Sequence, residues 1–306
     1  MTQQTPDNPL LAALMISSAT AFIAATTLIA KALATGALGP ALHPLQVSQA
    51  RFVFAFLVFA GFFLLRRPGF KKVHWGLNLG RTLCGWAGLT LMFTAVTRIP
   101  LTDATAISFL NPVFAMILAI PLLGEKVGPV RWTAAAIAFA GALILLRPTP
   151  GSFQPAALLA LVAAGFMGLE LIFIKTLSRR EPLAQILLVN NLIGACIASA
   201  VAFPVWQTPE PLQWLALAAI GVIMACAQAL FINGMARADA SFAAPFSYCT
   251  LIFAALYDFL GFRAVPDAVS LLGAAIILSG ALLLVLREAR ARRLAVPPPL
   301  PPANTP

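Results

Sequence analysis

DATAISFLNPVFAMILAIPLLGEK, from Asp103 to Lys126, is the stretch on which the reading of this chain turns. It is an apolar run of helix length. A polar group opens it (Asp103, Thr105), Asn111-Pro112 interrupts its middle, and Gly124-Glu125-Lys126 closes it. A degenerate copy lies at Asp239 to Arg263, DASFAAPFSYCTLIFAALYDFLGFR. Asp103-Ala104-Thr105 corresponds to Asp239-Ala240-Ser241, and Asn111-Pro112 falls opposite Ser247-Tyr248. The copies are followed by matching segments, GALILLR at Gly141–Arg147 and GALLLVLR at Gly280–Arg287. Two halves carrying the same series of hydrophobic segments form the pattern of a membrane protein built from a duplicated unit.

Composition sets the class. Of the 306 residues, 60% are hydrophobic and only 10% charged, and the mean hydropathy is +0.92. A soluble domain carries roughly 25% charged residues, whereas a bilayer core of ~30 Å asks for about 20 apolar residues per helix. The chain supplies that length repeatedly and is read as all-α and integral to the membrane. The backbone polar groups of each span must be satisfied internally, which forces helices, and the alternating short strands of a barrel are missing. The net charge of +10 is then explained by basic residues held in loops on one side, not by nucleic acid.

Ten helices are expected, at residues 10–35, 45–66, 74–98, 101–123, 128–147, 154–177, 182–205, 212–237, 240–262 and 267–287, divided by proline, glycine and charge clusters such as RRPGFKK, RPTPGS and GFRAVPD. Five helices per half is an odd number, so the halves, 10–147 and 154–287, must run in opposite directions through the membrane. A short N-terminal segment, 1–9, precedes them, and a basic then proline-rich tail, 288–306, follows. Arg66, Arg67, Lys71, Lys72, Lys126, Arg131, Lys175, Arg179, Arg180 and Arg237 cluster in alternate loops, and Arg287, Arg290, Arg292 and Arg293 lie in the tail. The opposite loops hold only Arg98, Arg147 and Arg263, with Lys31 nearby. That asymmetry predicts a multi-pass protein of the cell inner (plasma) membrane with both termini cytoplasmic. The first segment carries an Ala32-Leu33-Ala34 cleavage-like triplet. No basic residue precedes it, however, and LIAKAL at Leu28–Leu33 is echoed by IFIKTL at Ile172–Leu177, so it is read as a true span.

Catalytic and metal chemistry find no footing. Cys84, Cys196, Cys226 and Cys249 fall inside expected spans, His43 and His74 stand singly at helix ends, and no ligand spacing joins them. No nucleophile elbow, zinc-binding helix or phosphate loop occurs, so no enzyme, metal or cofactor is expected. The glycines of Gly76–Gly88 lie along the third span and are read as letting a neighbouring helix approach closely.

The Asn111-Pro112-Val113-Phe114 stretch, the following Gly124-Glu125-Lys126 and the duplicated Gly-Ala-Leu segment resemble the drug/metabolite transporter superfamily, in its ten-helix branch with two EamA-type repeats. The resemblance runs from Leu10 to Arg287. The second copy departs from it, with Cys249-Thr250 and Gly261-Phe262 in place of Pro-Val-Phe and Gly-Glu. Within the superfamily the chain is similar to the YddG-type bacterial exporters of aromatic amino acids. The resemblance implies a secondary transporter that exports small metabolites, aromatic and other neutral amino acids first among them, by alternating access. The alternatives are another metabolite or drug (a nucleoside, an adenosylated compound, a cationic drug) or a non-transporting membrane scaffold. No ATP-binding motif occurs, so a substrate gradient or proton exchange would drive the movement.

Counting about 1.5 Å per residue places Trp86, Ser108, Asn111, Asn190, Asn191, Gln228, Ser247 and Tyr248 near the midplane, where inverted-repeat carriers hold their substrates. Each of these has a plainer use as a hydrogen-bonding contact between helices. Pro112 should bend the fourth helix, either for gating or for packing. Glu170 and Arg81 fall at similar depth and are expected to pair or to share an aqueous vestibule, the alternative being separate snorkelling; Glu170 could also meet a substrate ammonium or a proton. Arg51 and Asp258 are expected to snorkel outward, and Lys31 and Lys175, which are repeat-related, to anchor helix ends.

Overall fold

The computed structural model describes residues 9–123, 129–146, 155–178, 180–235 and 249–295. Eleven α-helices are described: α1 (Pro9–Ala34), α2 (Pro44–Arg66), α3 (Trp75–Ala95), α4 (Leu101–Ser108), α5 (Asn111–Leu123), α6 (Pro129–Leu146), α7 (Pro155–Ser178), α8 (Leu183–Ala202), α9 (Pro211–Met235), α10 (Cys249–Phe262) and α11 (Ala268–Ala295). A single 3-10 turn, Phe203–Val205, follows α8. By length and composition alone six of these spans can cross a membrane, the α4–α5 pair counting as one of them. Shorter apolar helices and α3, whose Asn78, Arg81, Thr82 and Thr90 dilute its hydropathy, make up the rest of a ten-span fold. Large apolar side chains such as Leu57, Leu65, Phe203, Leu215 and Ile252 point outward, a surface that suits lipid and not water.

The fourth span is broken at the expected place. Pro112 has no N–H to give the Ser108 carbonyl, so the α-helical ladder cannot cross this point. The N–H groups of Phe109 and Leu110 donate instead to Ala106 O (3.1 Å) and Ile107 O (3.0 Å), a tight turn of the 3-10 kind. The ladder resumes with Phe114 N–H donating to Leu110 O at 3.0 Å.

The packing obeys a twofold rule. Pairing α1 with α7, α2 with α8, α3 with α9, α4–α5 with α10, and α6 with α11 maps the main contacts onto one another. Thus α3 packs on α7 as α9 packs on α1, and α5 packs on α7 as α10 packs on α1. The pairs α2–α8 and α6–α11 map onto themselves. With an odd number of spans per half, this is an inverted repeat.

Two amide clasps make the relation concrete. At one face the Gln185 side chain of α8 accepts from Lys71 N–H (2.8 Å) and donates to Lys71 O (3.1 Å). At the other face the Gln46 side chain of α2 accepts from Gln207 N–H (3.2 Å) and donates to Gln207 O (2.7 Å). Each glutamine begins the second helix of its half. Each engages backbone four residues before the third helix of the other half. The turns after α2 and after α7 therefore share a face, as the flipped duplication requires.

Beside the Gln185 clasp, Glu181 is a buried hub. Its carboxylate accepts from His74 N–H (2.6 Å), Asn78 Nδ2 (3.1 Å) and Gln185 Nε2 (3.0 Å), and lies 3.1 Å from His74 Nδ1. Burial pushes this carboxyl up, but the bonds from His74, Asn78 and Gln185 outweigh it and hold the group below the ordinary glutamate range.

The sequence expectations for Asp258, Lys31 and Arg51 are corrected here. Asp258 does not snorkel outward: it is 1% exposed, its Oδ1 is ion-paired with Lys31 Nζ, and its Oδ2 accepts from Leu101 N–H at 2.8 Å. It thus joins α1, α10 and the N-terminus of α4, where a carboxylate suits the free N–H groups of a helix start. Lys31 is a structural ion, not merely an anchor. Arg51 does not reach the surface either: it is 8% exposed, with its guanidinium 4.4 Å over the Phe52 ring. In lipid a lone charge finds a partner or a wet recess more cheaply inside the bundle than by crossing hydrocarbon. The Lys175 side chain lies outside the described residues.

Candidate substrate site

The site is built on α3. One of its faces carries Thr82, Trp86 and Thr90 at helical spacing. Thr82 Oγ1 donates to Asn190 Oδ1 of α8 at 3.1 Å, and Thr90 Oγ1 donates to Ser48 Oγ of α2 at 2.8 Å. Trp86 sits between them, one turn from each, so its indole is directed to where α2 and α8 meet α3. Its Nε1 is buried and has no hydrogen-bond partner among the described residues.

The side of α3 nearly opposite to this face carries glycines and meets α7. Gly80, Gly85 and Gly88 oppose Phe173, Glu170 and Met167. A Cβ at Gly85 would come within 2.9 Å of the Glu170 carboxyl carbon, so the glycine is what admits the carboxylate between the helices. One turn away, Arg81 Nε lies 3.5 Å from Glu170 Oε1, and Arg81 Nη1 donates to Ile186 O of α8 at 3.2 Å. The two charges form a loose ion pair and do not snorkel separately. Arg81 is 4% exposed while the Glu170 side chain keeps 22%, so one end of the pair is open. Arg51 of α2 lies within electrostatic reach of both.

Two further helices contribute. Asn191 of α8 is fully buried; its Nδ2 donates to Leu187 O at 2.8 Å, and its Oδ1 has no partner among the described residues. On α9, Gln228 Oε1 is likewise buried and unpartnered, one turn beyond Ala225, which packs with Ala55 and Phe59 of α2 and Leu187 of α8. Buried polar atoms are nearly always satisfied, so a group of orphans inside a lipid-bound bundle calls for a ligand or water. Arg51, Trp86, Asn191 and Gln228 place one such atom on each of α2, α3, α8 and α9.

Of the other sequence candidates, Ser108, Asn111 and Asn190 are described. Ser108 Oγ is taken up by Thr105 O of its own helix at 2.6 Å. The Asn111 backbone packs against α7 at Gly168, where a Cβ would come within 2.8 Å of Asn111 O. Positions 168 and 170 are about 200° apart around a helix, so the Asn111 side of α7 is nearly opposite the Glu170 side. Asn190 is engaged by Thr82. Pro112 stands at the break in the fourth span, and its side chain lies outside the described residues, as do Ser247 and Tyr248 entirely. Sequence reasoning alone misses Arg51 as a site residue. Its signal, an arginine amid PLQVSQARFVFAF, is visible but reads as a surface cation. Among the described residues no three His, Cys, Asp or Glu side chains gather as a metal site.

The profile described as the EamA-like transporter family matches residues 10–147 and again 154–286. The chain belongs to the EamA-like transporter family. Among similar proteins, the S-adenosylmethionine uptake transporter of Rickettsia felis is 28% identical over 255 residues, covering 83% of this chain and 87% of its own length. The riboflavin transporter of Vibrio cholerae is 33% identical over 213 residues, covering 69% of this chain and 72% of its own. A solved crystal structure shares the fold of this chain at a TM-score of 0.61 and 22% identity, covering 91% of this chain and 99% of that one. The protein is a multi-pass membrane transporter of this family. The expectation of aromatic amino acids receives no support from the named relatives, which fit the alternative of another metabolite more closely.

Proposed function

We propose that this EamA-like transporter is a secondary carrier for a small polar metabolite, with an adenosylated compound of the S-adenosylmethionine kind as its first substrate class. The observation that carries the reading is the polar set along the seam between the halves: the Arg81–Glu170 pair on the α7 side of α3, Trp86 on its α2–α8 side, and the orphaned atoms of Asn191 and Gln228. An aromatic plane, amide groups and charges of both signs suit a heterocycle bearing an amino-acid head, which needs stacking and charge-assisted hydrogen bonds in the same place. The halves would rock about this seam, opening it to one side and then the other. The basic loops support cytoplasmic termini in an inner (plasma) membrane. Glu170, the one carboxylate in the set, is the natural carrier of a proton if transport is proton-coupled.

The test is flux in proteoliposomes. Labelled S-adenosylmethionine, riboflavin and tryptophan are each offered with and without a pH gradient. The adenosyl reading expects S-adenosylmethionine to enter faster than into protein-free vesicles, with Trp86→Ala reducing that flux at least about tenfold. Riboflavin flux without S-adenosylmethionine flux would move the assignment to flavins, and tryptophan flux alone would restore the amino-acid reading.

A further inference from the structure

We propose that Arg51 is a recognition residue for an anionic group, a carboxylate in the first instance, on the transported solute. This rests on the transport reading above and deepens it.

Register places Arg51 at the site. The Thr90–Ser48 bond, 2.8 Å long, pins α3 to α2 at one depth. From that point Arg51 lies three residues along α2, about 4.5 Å further in, and Trp86 lies four residues back along α3, about 6 Å in the same direction because the two helices are antiparallel. Ser48 and Arg51 share a face of α2, as Trp86 and Thr90 share a face of α3. The backbone positions of Arg51 and Trp86 therefore stand at nearly the same level on facing sides of α2 and α3.

Chemistry says what Arg51 lacks. A guanidinium has five N–H donors and no acceptor. Arg51 is 8% exposed, its Nε is buried, and among the described residues it makes no hydrogen bond. The Phe52 ring beneath it, at 4.4 Å, offers a cation–π contact but accepts none of the five donors in a directed bond. Among the described residues the one anion within reach, Glu170, is already held at 3.5 Å by Arg81, so two cations share one carboxylate. A structural arginine in hydrocarbon is paired, and a snorkelling one is exposed; Arg51 is neither. A carboxylate between Arg51 and Trp86 would take two of the donors in a bidentate pair and neutralise the set. A cationic centre on the same solute would find Glu170, whose side chain is the most open of the three charges. A neutral solute would leave Arg51 unsatisfied, so this residue sets the preference for an acid-bearing one.

The experiment compares purified wild type with Arg51→Gln, Arg51→Lys and Arg51→Met. Each is offered two ligand pairs that differ by the carboxylate: S-adenosylmethionine with its decarboxylated form, and tryptophan with tryptamine. Binding is read from ligand-induced Tm shifts and transport from counterflow. In the wild type the carboxylate member of at least one pair binds at least about tenfold tighter. Arg51→Gln loses that preference, Arg51→Lys keeps part of it, and ligand-free Arg51→Met melts no lower than wild type because an uncompensated buried charge has gone. The assignment is overturned if wild type does not discriminate within either pair, or if Arg51→Gln still discriminates. It is overturned also if Arg51→Met melts well below wild type or fails to fold, which marks a structural role. If S-adenosylmethionine is carried with equal KM by wild type and Arg51→Gln, the Arg51 assignment falls while the transport reading stands. If wild type carries no adenosylated compound yet Arg51→Gln abolishes its preference for tryptophan over tryptamine, the adenosyl reading falls while Arg51 stands.

Discussion

Removing one amide clasp should open one face of the transporter and not the other. Gln46 makes two hydrogen bonds to the Gln207 backbone, at 2.7 and 3.2 Å, and is wholly buried. Gln46→Ala deletes both. A net contribution of about 1 kcal/mol per bond gives about 2 kcal/mol. The freed Gln207 groups lie in a loop that water reaches once that face opens, so the penalty falls on the closed state. About 2 kcal/mol is roughly a 30-fold shift in the open-to-closed ratio at that face. The clasps tie one half of the chain to the other at opposite ends, so Gln185→Ala should shift the balance the other way. Gln185 also donates to Glu181 at 3.0 Å, so its loss should weigh somewhat more. The assay is thiol accessibility in proteoliposomes. A reporter cysteine, Trp86→Cys, is placed in a background with Cys84, Cys196, Cys226 and Cys249 replaced, and an impermeant reagent is applied from each side in turn. Gln46→Ala should speed labelling from the side of the Gln207 loop, and Gln185→Ala from the side of the Lys71 turn. Acceleration of both variants from the same side, or of neither, would refute the idea that the clasps hold opposite gates.

Two stability predictions accompany this. Glu181→Ala orphans the His74 N–H and weakens the tie between α3 and the α7–α8 turn, for a loss of about 3 kcal/mol, with Glu181→Gln losing about half as much. Because the folded carboxyl is held below its ordinary range, its contribution is present above the unfolded pKa and is lost as pH falls through the lowered folded value. Melting curves of wild type should therefore fall more steeply than those of Glu181→Gln on acidification from neutral pH, and parallel pH profiles would contradict the hub. For the buried pair, Lys31→Met or Asp258→Asn alone should each cost about 3 kcal/mol in unfolding experiments. The double variant should recover part of the loss, since the amide oxygen introduced by Asp258→Asn can still accept from Leu101 N–H and no lone ion remains. Additive losses in the double variant would show that the two side chains are not coupled.

The positions of the spans and the inversion of the halves are legible in the chain itself. Helix boundaries at Pro44, Pro155 and Pro211 follow from proline and charge punctuation, and the break at Phe109-Leu110 follows from the N–H that Pro112 lacks. The depth of a residue is legible too, because a helix rises a fixed amount per residue. That is why Glu170 and Arg81 are expected at one level and stand 3.5 Å apart. Rotation about each helix axis is not legible. In water the apolar stripe of a helix shows which face turns inward; in lipid every face is apolar, and small-residue packing decides the contacts instead. Asp258 could not be assigned to Lys31, 227 residues away, nor Glu170 to the notch at Gly85, without the arrangement of the helices. For the same reason Arg51 reads as a surface cation until the Thr90–Ser48 bond fixes how α2 faces α3. Composition and period determined that this chain is an inverted ten-span bundle; only the tertiary structure decided which of its few charges meet, because that depends on azimuth and not on depth.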